Sequence, residues 1–225
     1  MCKFYSESFC YTFSERRGAV SLMANALSTA LHQRYFKQVR HLILNEGVSV
    51  NHELPDGSSP LHIAAQKQDL ETVQFLLSLR AAPDSKNRHG DTAMMLVINN
   101  ALSFETCLTI VHSLINAKCN VNLSDGQGRT ALHSACAKGF PFVVKVLLDA
   151  GASVGTRDRW SRTPLHMTLM NIPHQHHKSL ASFCEVVKVL LVGKSDANAK
   201  DKYQATPLFL VVSSGTHKTL LCIQL

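Results

Sequence analysis

The chain has 225 residues, of which 45% are hydrophobic and 17% are charged, with 11 glycines and 7 prolines. This composition excludes a disordered polar chain and a collagen-like chain, and the length allows one large domain, two small domains or a short array of repeats. Lys and Arg outnumber Asp and Glu by 23 to 16, which favours acidic partners, but no run of five like charges marks a nucleic-acid-binding segment.

The N-terminal segment lacks the basic stretch, apolar stretch and small-residue cleavage site of a secretory signal. The longest unbroken apolar runs are residues 93–98 and 208–212, far short of the roughly 20 residues that a transmembrane helix needs. Seven irregularly spaced cysteines without a CxxC pair are typical of reduced thiols. We therefore expect an intracellular protein, in the cytoplasm or the nucleus, with no membrane partner.

The strongest pattern is a short segment that recurs along the chain. A Ser or Thr followed mostly by Pro or Ala, then Leu, then His begins at residues 59, 92, 130, 163 and 206. The spacings are 33, 38, 33 and 43 residues, which is a period of 33 with insertions of five and ten. A fixed period of about 20 to 50 residues predicts an array of stacked units.

Each unit contains a turn, a first helix and a second helix. Asn or Asp stands five residues before the Ser or Thr in most units, and Gly stands two residues before it in three, which predicts a turn. The Ser or Thr can cap the first helix, where a following Pro is tolerated. A strongly apolar second helix follows, as in Val143–Leu148 and Val186–Leu191. Leu147 is a predicted core residue, so Leu147→Ala should cost about 2 to 5 kcal/mol.

These residues resemble the ankyrin repeat, whose pattern is D-x-x-G-x-T-P-L-H-x-A-A, then V-V-x-x-L-L, then G-A-x-V-N. The match is best in Leu54–Lys86 and Asp125–Arg157, and it covers residues 25–225. The resemblance implies an all-α ankyrin-repeat solenoid of about six helix-turn-helix units with β-hairpin-like finger loops. Residues 1–24 would be a poorly ordered N-terminal extension. The predicted units are 25–53, 54–86, 87–124, 125–157, 158–200 and the incomplete 201–225.

Several departures from the family pattern carry their own expectations. The first unit is polar, as a terminal repeat with a solvated face should be. The insertions near Asn99–Ser103 and Pro173–Ser182 should lie between the two helices of their units. The chain stops inside the sixth unit, which predicts a fragment, an isoform or a partner that covers this end. Arg80, Lys118 and Lys194 stand where the family usually has Gly after the second helix. Because a left-handed backbone conformation is costly for a non-Gly residue, we expect these helices to end without one.

The resemblance implies a protein-protein interaction module that binds another protein through its finger loops and concave face. It also implies an alternative, a substrate receptor of a cullin-type ubiquitin ligase of the SOCS-box ankyrin family, whose C-terminal box is absent from this chain. We expect no enzyme, no cofactor and no small-molecule substrate, because the usual nucleotide, hydrolase and zinc-protease motifs do not occur. Nucleic acid is the less favoured partner.

The candidate partner-binding residues lie between the Asn or Asp and the Ser or Thr of each unit, where the resemblance places the fingertips. Trp, Tyr and Arg are frequent binding hot spots, and a turn does not need them to fold. For any single Arg, a solvated turn is the alternative. We expect these residues to receive an acidic segment that carries apolar anchors. The set is Arg88, His89, Arg129, Arg159, Trp160, Arg162, Lys202 and Tyr203.

Twelve histidines suggest a metal site, and His174, His176 and His177 form the densest cluster. No Cys or carboxylate within that insertion completes a four-ligand site, so we predict no metal. Three other histidines belong to the recurring Ser/Thr segment, where the resemblance implies that the ring hydrogen-bonds locally and holds the turn. They are His62, His133 and His166.

Overall fold

A computed structural model describes residues 22–54, 56–101, 103–172 and 177–213. These segments contain eleven helices, and their only bridge of β type joins Ser124 to Thr130. The helices are α1 (residues 22–32), α2 (Phe36–Leu44), α3 (Pro60–Gln66), α4 (Leu70–Ser78), α5 (Ala93–Asn99), α6 (Phe104–Asn116), α7 (Ala131–Lys138), α8 (Pro141–Asp149), α9 (Pro164–Met170), α10 (His177–Val192) and α11 (Pro207–Ser213).

The helices form two layers. The first helices of successive units, α3, α5, α7, α9 and α11, pack against one another in chain order, and the second helices α2, α4, α6, α8 and α10 form the other row. A continuous apolar core runs between the layers from Leu27 to Leu190, and Leu147 is fully buried in it. The predicted all-α solenoid of helix-turn-helix units is confirmed.

Three of the first helices, α3, α7 and α9, begin with a hydrogen-bonded box that the sequence partly predicts. The Nδ1 atoms of His62, His133 and His166 accept the backbone N–H of Ser59, Thr130 and Thr163 at 3.0 to 3.1 Å. This confirms that each ring holds its own turn. Each Nε2 also lies 3.0 to 3.2 Å from a backbone oxygen at the end of the next finger, so the ring joins two units as well.

Our expectation for the ends of the second helices is wrong. Arg80, Lys118 and Lys194 adopt left-handed φ angles of 61°, 60° and 63°, as Gly151 does at 87°. In each case the next residue donates its N–H to a carbonyl five positions back, for example Ala81 to Leu76 at 3.0 Å and Ala152 to Leu147 at 2.9 Å. Closing the buried helix end outweighs a backbone strain of about 1 kcal/mol.

The insertion near Asn99–Ser103 lies between α5 and α6, as expected, whereas the insertion near Pro173–Ser182 differs from expectation, since its second part belongs to a helix. Helices α4 and α8 have 9 residues each, whereas α6 has 13 and α10 has 16. Residues 177–182 of the predicted inter-helix insertion therefore lie inside α10. Helix α1 already includes residue 22, ahead of the predicted boundary at 25. The rest of the N-terminal extension and the second half of the sixth unit lie outside the described residues.

Candidate partner-binding surface

Four finger loops share one hydrogen-bonded frame, which begins at Asn87, Asp125, Asp158 and Asp201. The N–H of this first residue donates to the carbonyl of the fifth at 2.8 to 3.0 Å. Its side-chain Oδ1 accepts the N–H groups of the third and fifth residues at 2.8 to 2.9 Å. The Asn or Asp therefore folds each finger, and the residues between it and the Ser or Thr are held at the tip.

Consecutive fingers are joined by backbone hydrogen bonds. The Gly126 N–H donates to the His89 carbonyl at 3.0 Å, the Arg159 N–H to Gln127 at 2.9 Å, and the Lys202 N–H to Trp160 at 2.8 Å. The tips thus form one continuous surface, which we call the finger stripe: residues 88–91, 126–129, 159–162 and 202–205. It contains all eight candidate residues.

Two of the eight are structural braces. Arg129 Nη2 lies 2.8 Å from Asp125 Oδ2, and Arg162 Nη2 lies 2.7 Å from Asp158 Oδ2. The Arg162 side chain is 16% exposed and that of Arg129 is 40% exposed. Burial alone would raise the pKa of Asp158, but hydrogen bonds from the Arg162 side chain and from backbone N–H groups outweigh it and lower the pKa. Both Arg side chains are occupied within their own fingers.

Trp160 lies beside two guanidinium groups. The central carbon of Arg159 is 3.9 Å from the centre of its ring, and that of Arg162 is 4.2 Å away. Both guanidinium groups therefore pack against the indole. Arg162 also points a donor at the sulfur of Met170, 3.7 Å away. The indole is therefore held in place, and it is half-buried.

The other candidates are exposed, and Tyr203 is the most apolar of them, with 74% of its surface accessible. None of Arg88, Arg159 and Lys202 pairs with a carboxylate in the part of the chain that the structure describes. These three side chains are the cations of the stripe that remain available to a partner.

Two concavities adjoin the stripe. A cavity of about 430 Å³ lies between two fingers and is lined by Arg88, His89 and Arg129. A second, of about 270 Å³, lies over the first-helix layer and is also lined by Arg129. The sequence did not lead us to predict the other residues that line this second cavity. A polar or flexible side chain within an otherwise buried first helix was the pattern that could have indicated them. They include Asn99, Ser134, Lys138, Met167 and Asn171.

The described residues contain no group of His, Cys, Asp and Glu that could hold a metal ion. His174 and His176 lie outside them, as does the side chain of His177. Burial raises the pKa of the Cys107 and Cys119 thiols to about 11 and that of Cys136 to about 12. At neutral pH these thiols are protonated, which suits packing rather than nucleophilic chemistry.

The comparison with known families agrees with this geometry. The family model described as "Ankyrin repeats (3 copies)" matches residues 27–107 and 98–181. The chain belongs to the ankyrin repeat family. Ankyrin repeats are protein-protein interaction modules and are typically not enzymes. No helix within the described ranges is long and apolar enough to cross a membrane.

Three relatives illustrate how the same repeat occurs in different proteins. The chain is 29% identical over 123 residues to the human transient receptor potential cation channel subfamily A member 1. It is 33% identical over 129 residues to the palmitoyltransferase AKR1 of Lachancea kluyveri, and 32% identical over 106 residues to the ankyrin repeat protein OPG189 of Variola virus. The matches cover 54%, 57% and 45% of this chain but only 11%, 17% and 17% of those proteins. The chain therefore resembles only a part of each of these proteins.

Proposed function

We propose that this ankyrin array binds an acidic, apolar-anchored segment of a partner protein through the finger stripe and the adjoining concave face. The observation that carries the proposal is the cluster of Arg159, Trp160 and Tyr203. These side chains lie outside the hydrogen-bonded frame of their fingers. A neighbouring finger folds on the same frame with Gly126 and Gln127 at the first two of these positions, so folding does not require Arg159 or Trp160.

The charge of the stripe supports an acidic partner. Its sixteen residues include five Arg or Lys side chains and one carboxylate, Asp91. Braces to Asp125 and Asp158 neutralise two of the five. The remaining three, Arg88, Arg159 and Lys202, stand at the same position of three of the four fingers, and the finger between Arg88 and Arg159 has Gly126 there. An extended acidic segment could follow these three cations. Complementary charge of this kind speeds association and selects partners.

The concave face offers the second half of the surface. Arg129 lines both the finger cleft and the groove over the first helices, so the two cavities adjoin this one side chain. Ser134 and Lys138 are polar groups within reach of a segment that leaves the fingers, and Met167 is a flexible apolar contact. A partner segment that crosses Arg129 would bury surface on both sides of it.

The test is affinity capture from cell lysate with the partner identified by mass spectrometry. The variant Arg159→Ala with Tyr203→Ala removes one exposed cation and one exposed aromatic ring without touching a brace. The matched control, Lys188→Ala with Val192→Ala, removes one exposed cation and one exposed apolar side chain from α10. We expect the finger variant to lose a defined partner that wild type and the control retain.

Capture of the same proteins by all three forms would overturn the finger stripe as the binding surface. A partner that proves to be nucleic acid, with a steep dependence of affinity on salt, would overturn the choice of partner class. The ubiquitin-ligase alternative is favoured by no observation in the described residues. We also propose a cytoplasmic or nuclear location, from the sequence features given above, and a lack of enzymatic activity, from the family.

A further inference from the structure

We infer that the Arg159 guanidinium, stacked over Trp160, receives the carboxylate of a single Asp or Glu side chain in the partner segment. The inference rests on the proposed function and names the group that the stripe recognises. It assigns Trp160 a role as a platform rather than as a contact for the partner's own rings.

The stack leaves the donors of Arg159 unused. Its guanidinium carbon lies 3.9 Å from the ring centre, and no described carboxylate or carbonyl accepts a hydrogen bond from its side chain. A guanidinium over an aromatic face keeps its N–H groups pointing outward in its own plane, where a carboxylate can accept two of them. The side chain is exposed, so a partner can reach it.

The platform is fixed before a partner arrives. Arg162 packs against the Trp160 ring at 4.2 Å and is itself held by Asp158 at 2.7 Å. The indole is thus supported by an ion pair whose Asp158 is fully buried, and it restricts the long Arg159 side chain in turn. A restricted side chain loses less conformational entropy on binding, which favours affinity.

The local charge selects a carboxylate over a phosphate. A phosphorylated side chain carries nearly two negative charges and is usually held by a cluster of Arg side chains. Here Asp158 neutralises Arg162, and Asp125 neutralises Arg129 on the adjacent finger. Arg157, next to this finger, donates to the Ser161 and Lys200 carbonyls. Arg159 is therefore the guanidinium beside Trp160 whose donors have no described partner, and a single carboxylate matches it.

Tyr203 supplies the apolar contact next to this site. The Lys202 N–H bonds to the Trp160 carbonyl at 2.8 Å, which holds the tip of the last described finger beside the indole. Trp160 is half-buried and already carries two guanidinium groups, so the exposed Tyr203 ring is the more open aromatic surface for an apolar residue of the partner. A segment that alternates acidic and apolar residues fits the pair.

The probe is a labelled eight-residue peptide of alternating Glu and Leu, with versions that carry Gln or phosphoserine in place of Glu. Binding is followed by the anisotropy of the label and by the emission of Trp160, the only Trp of the chain. We expect the Glu peptide to bind about tenfold more tightly than the Gln peptide and to change the Trp160 emission. Arg159→Lys keeps the charge but should weaken binding about fivefold or more, because it loses the paired donors.

Lys188→Gln on α10 is the control for charge and should leave the affinity unchanged. The inference is overturned if Arg159→Lys and Arg159→Gln bind the Glu peptide as wild type does, if wild type does not bind it, or if the phosphoserine peptide binds tenfold more tightly. If Tyr203→Ala abolishes both peptide binding and partner capture while the Arg159 variants keep both, the inference that Arg159 receives the carboxylate fails and the proposed function stands. If no variant changes capture, the proposed function fails as well.

Discussion

The fingers at residues 125–129 and 158–162 have the same frame and different tips. In both, the Asp Oδ1 accepts two backbone N–H groups and Oδ2 pairs with the Arg four residues later. The first finger has Gly126 and Gln127 where the second has Arg159 and Trp160. The frame is therefore what folding requires, and the second tip carries large side chains that the frame does not need.

The two fingers are also anchored differently to the preceding unit. His133 Nε2 lies 3.1 Å from the carbonyl of Arg162 and ties the second finger to α7. Met95 stands at the matching position before the first finger and cannot make that bond. The finger with the Arg and Trp tip is thus the more firmly held of the two, which suits a preorganised binding surface.

Removing the shared Asp should have the largest effect. Asp158→Ala leaves Arg162, which is largely buried, and two N–H groups without their acceptor, and we expect the free energy of unfolding to fall by about 3 kcal/mol. Asp125→Ala should cost about 2 kcal/mol, because Arg129 is more exposed and can be hydrated. Chemical denaturation of both variants measures the difference. Equal costs would contradict a frame whose strength depends on burial of the Arg.

The His133 anchor should produce a smaller, pH-dependent effect. Burial lowers the pKa of His133 below its usual value of 6.5, although the Arg162 carbonyl and the nearby Asp158 and Asp125 carboxylates act in the opposite direction. The unfolded chain therefore binds the proton more readily than the folded chain. The contribution of His133 to the free energy of unfolding is fully present above pH 6.5 and is lost as the pH falls below that value.

The variants His133→Gln and Met95→His test this anchor from both sides. His133→Gln should lower the free energy of unfolding by about 1 kcal/mol at pH 7.5 and reduce the further loss at pH 5.5. Met95→His should make the free energy of unfolding more dependent on pH, because the new ring can bond to the finger at residues 125–129 as His133 does to the next finger. Denaturation at the two pH values measures both effects, and an unchanged pH dependence in His133→Gln would refute the anchor.

The smallest effect is expected at the left-handed position of the finger. Ser161 has a φ of 60° where Gly128 has 77°. Ser161→Gly relieves backbone strain but makes the unfolded chain more flexible, so we expect a gain below about 1 kcal/mol. Ser153→Gly, at an exposed loop residue without a positive φ, is the control and should be destabilising. A loss of stability in Ser161→Gly would contradict the assigned strain.

The sequence predicted those parts of the fold that depend on local chemistry repeated in phase. The Ser or Thr of the first helices, the His of three of them, the apolar second helices and the finger positions all lie where the spacing placed them. The left-handed Arg80, Lys118 and Lys194 were mispredicted because a local strain was weighed without the helix-closing hydrogen bonds that offset it. The extensions of α6 and α10 depend on packing between units, which spacing alone does not show.

The candidate site was predicted as a set of residues but not as a division of roles. Sequence reasoning placed Arg159 and Arg162 together as contacts, whereas the structure makes Arg162 a brace. The repeated Asp-x-x-x-Arg spacing in two fingers was the available signal, since only a shared structural role would recur with the frame. The stacking of Arg159 on Trp160 depends on side-chain orientation and has no sequence signal of its own.

The most direct test of the account is to give the second finger the tip chemistry of the first. The variant Arg159→Ala with Trp160→Gln should unfold within about 3 °C of wild type, because the frame is intact. It should also lose the captured partner. A large fall in melting temperature would make these side chains part of the fold. A stable variant that still captures the partner would contradict the claim that the finger stripe binds through this tip.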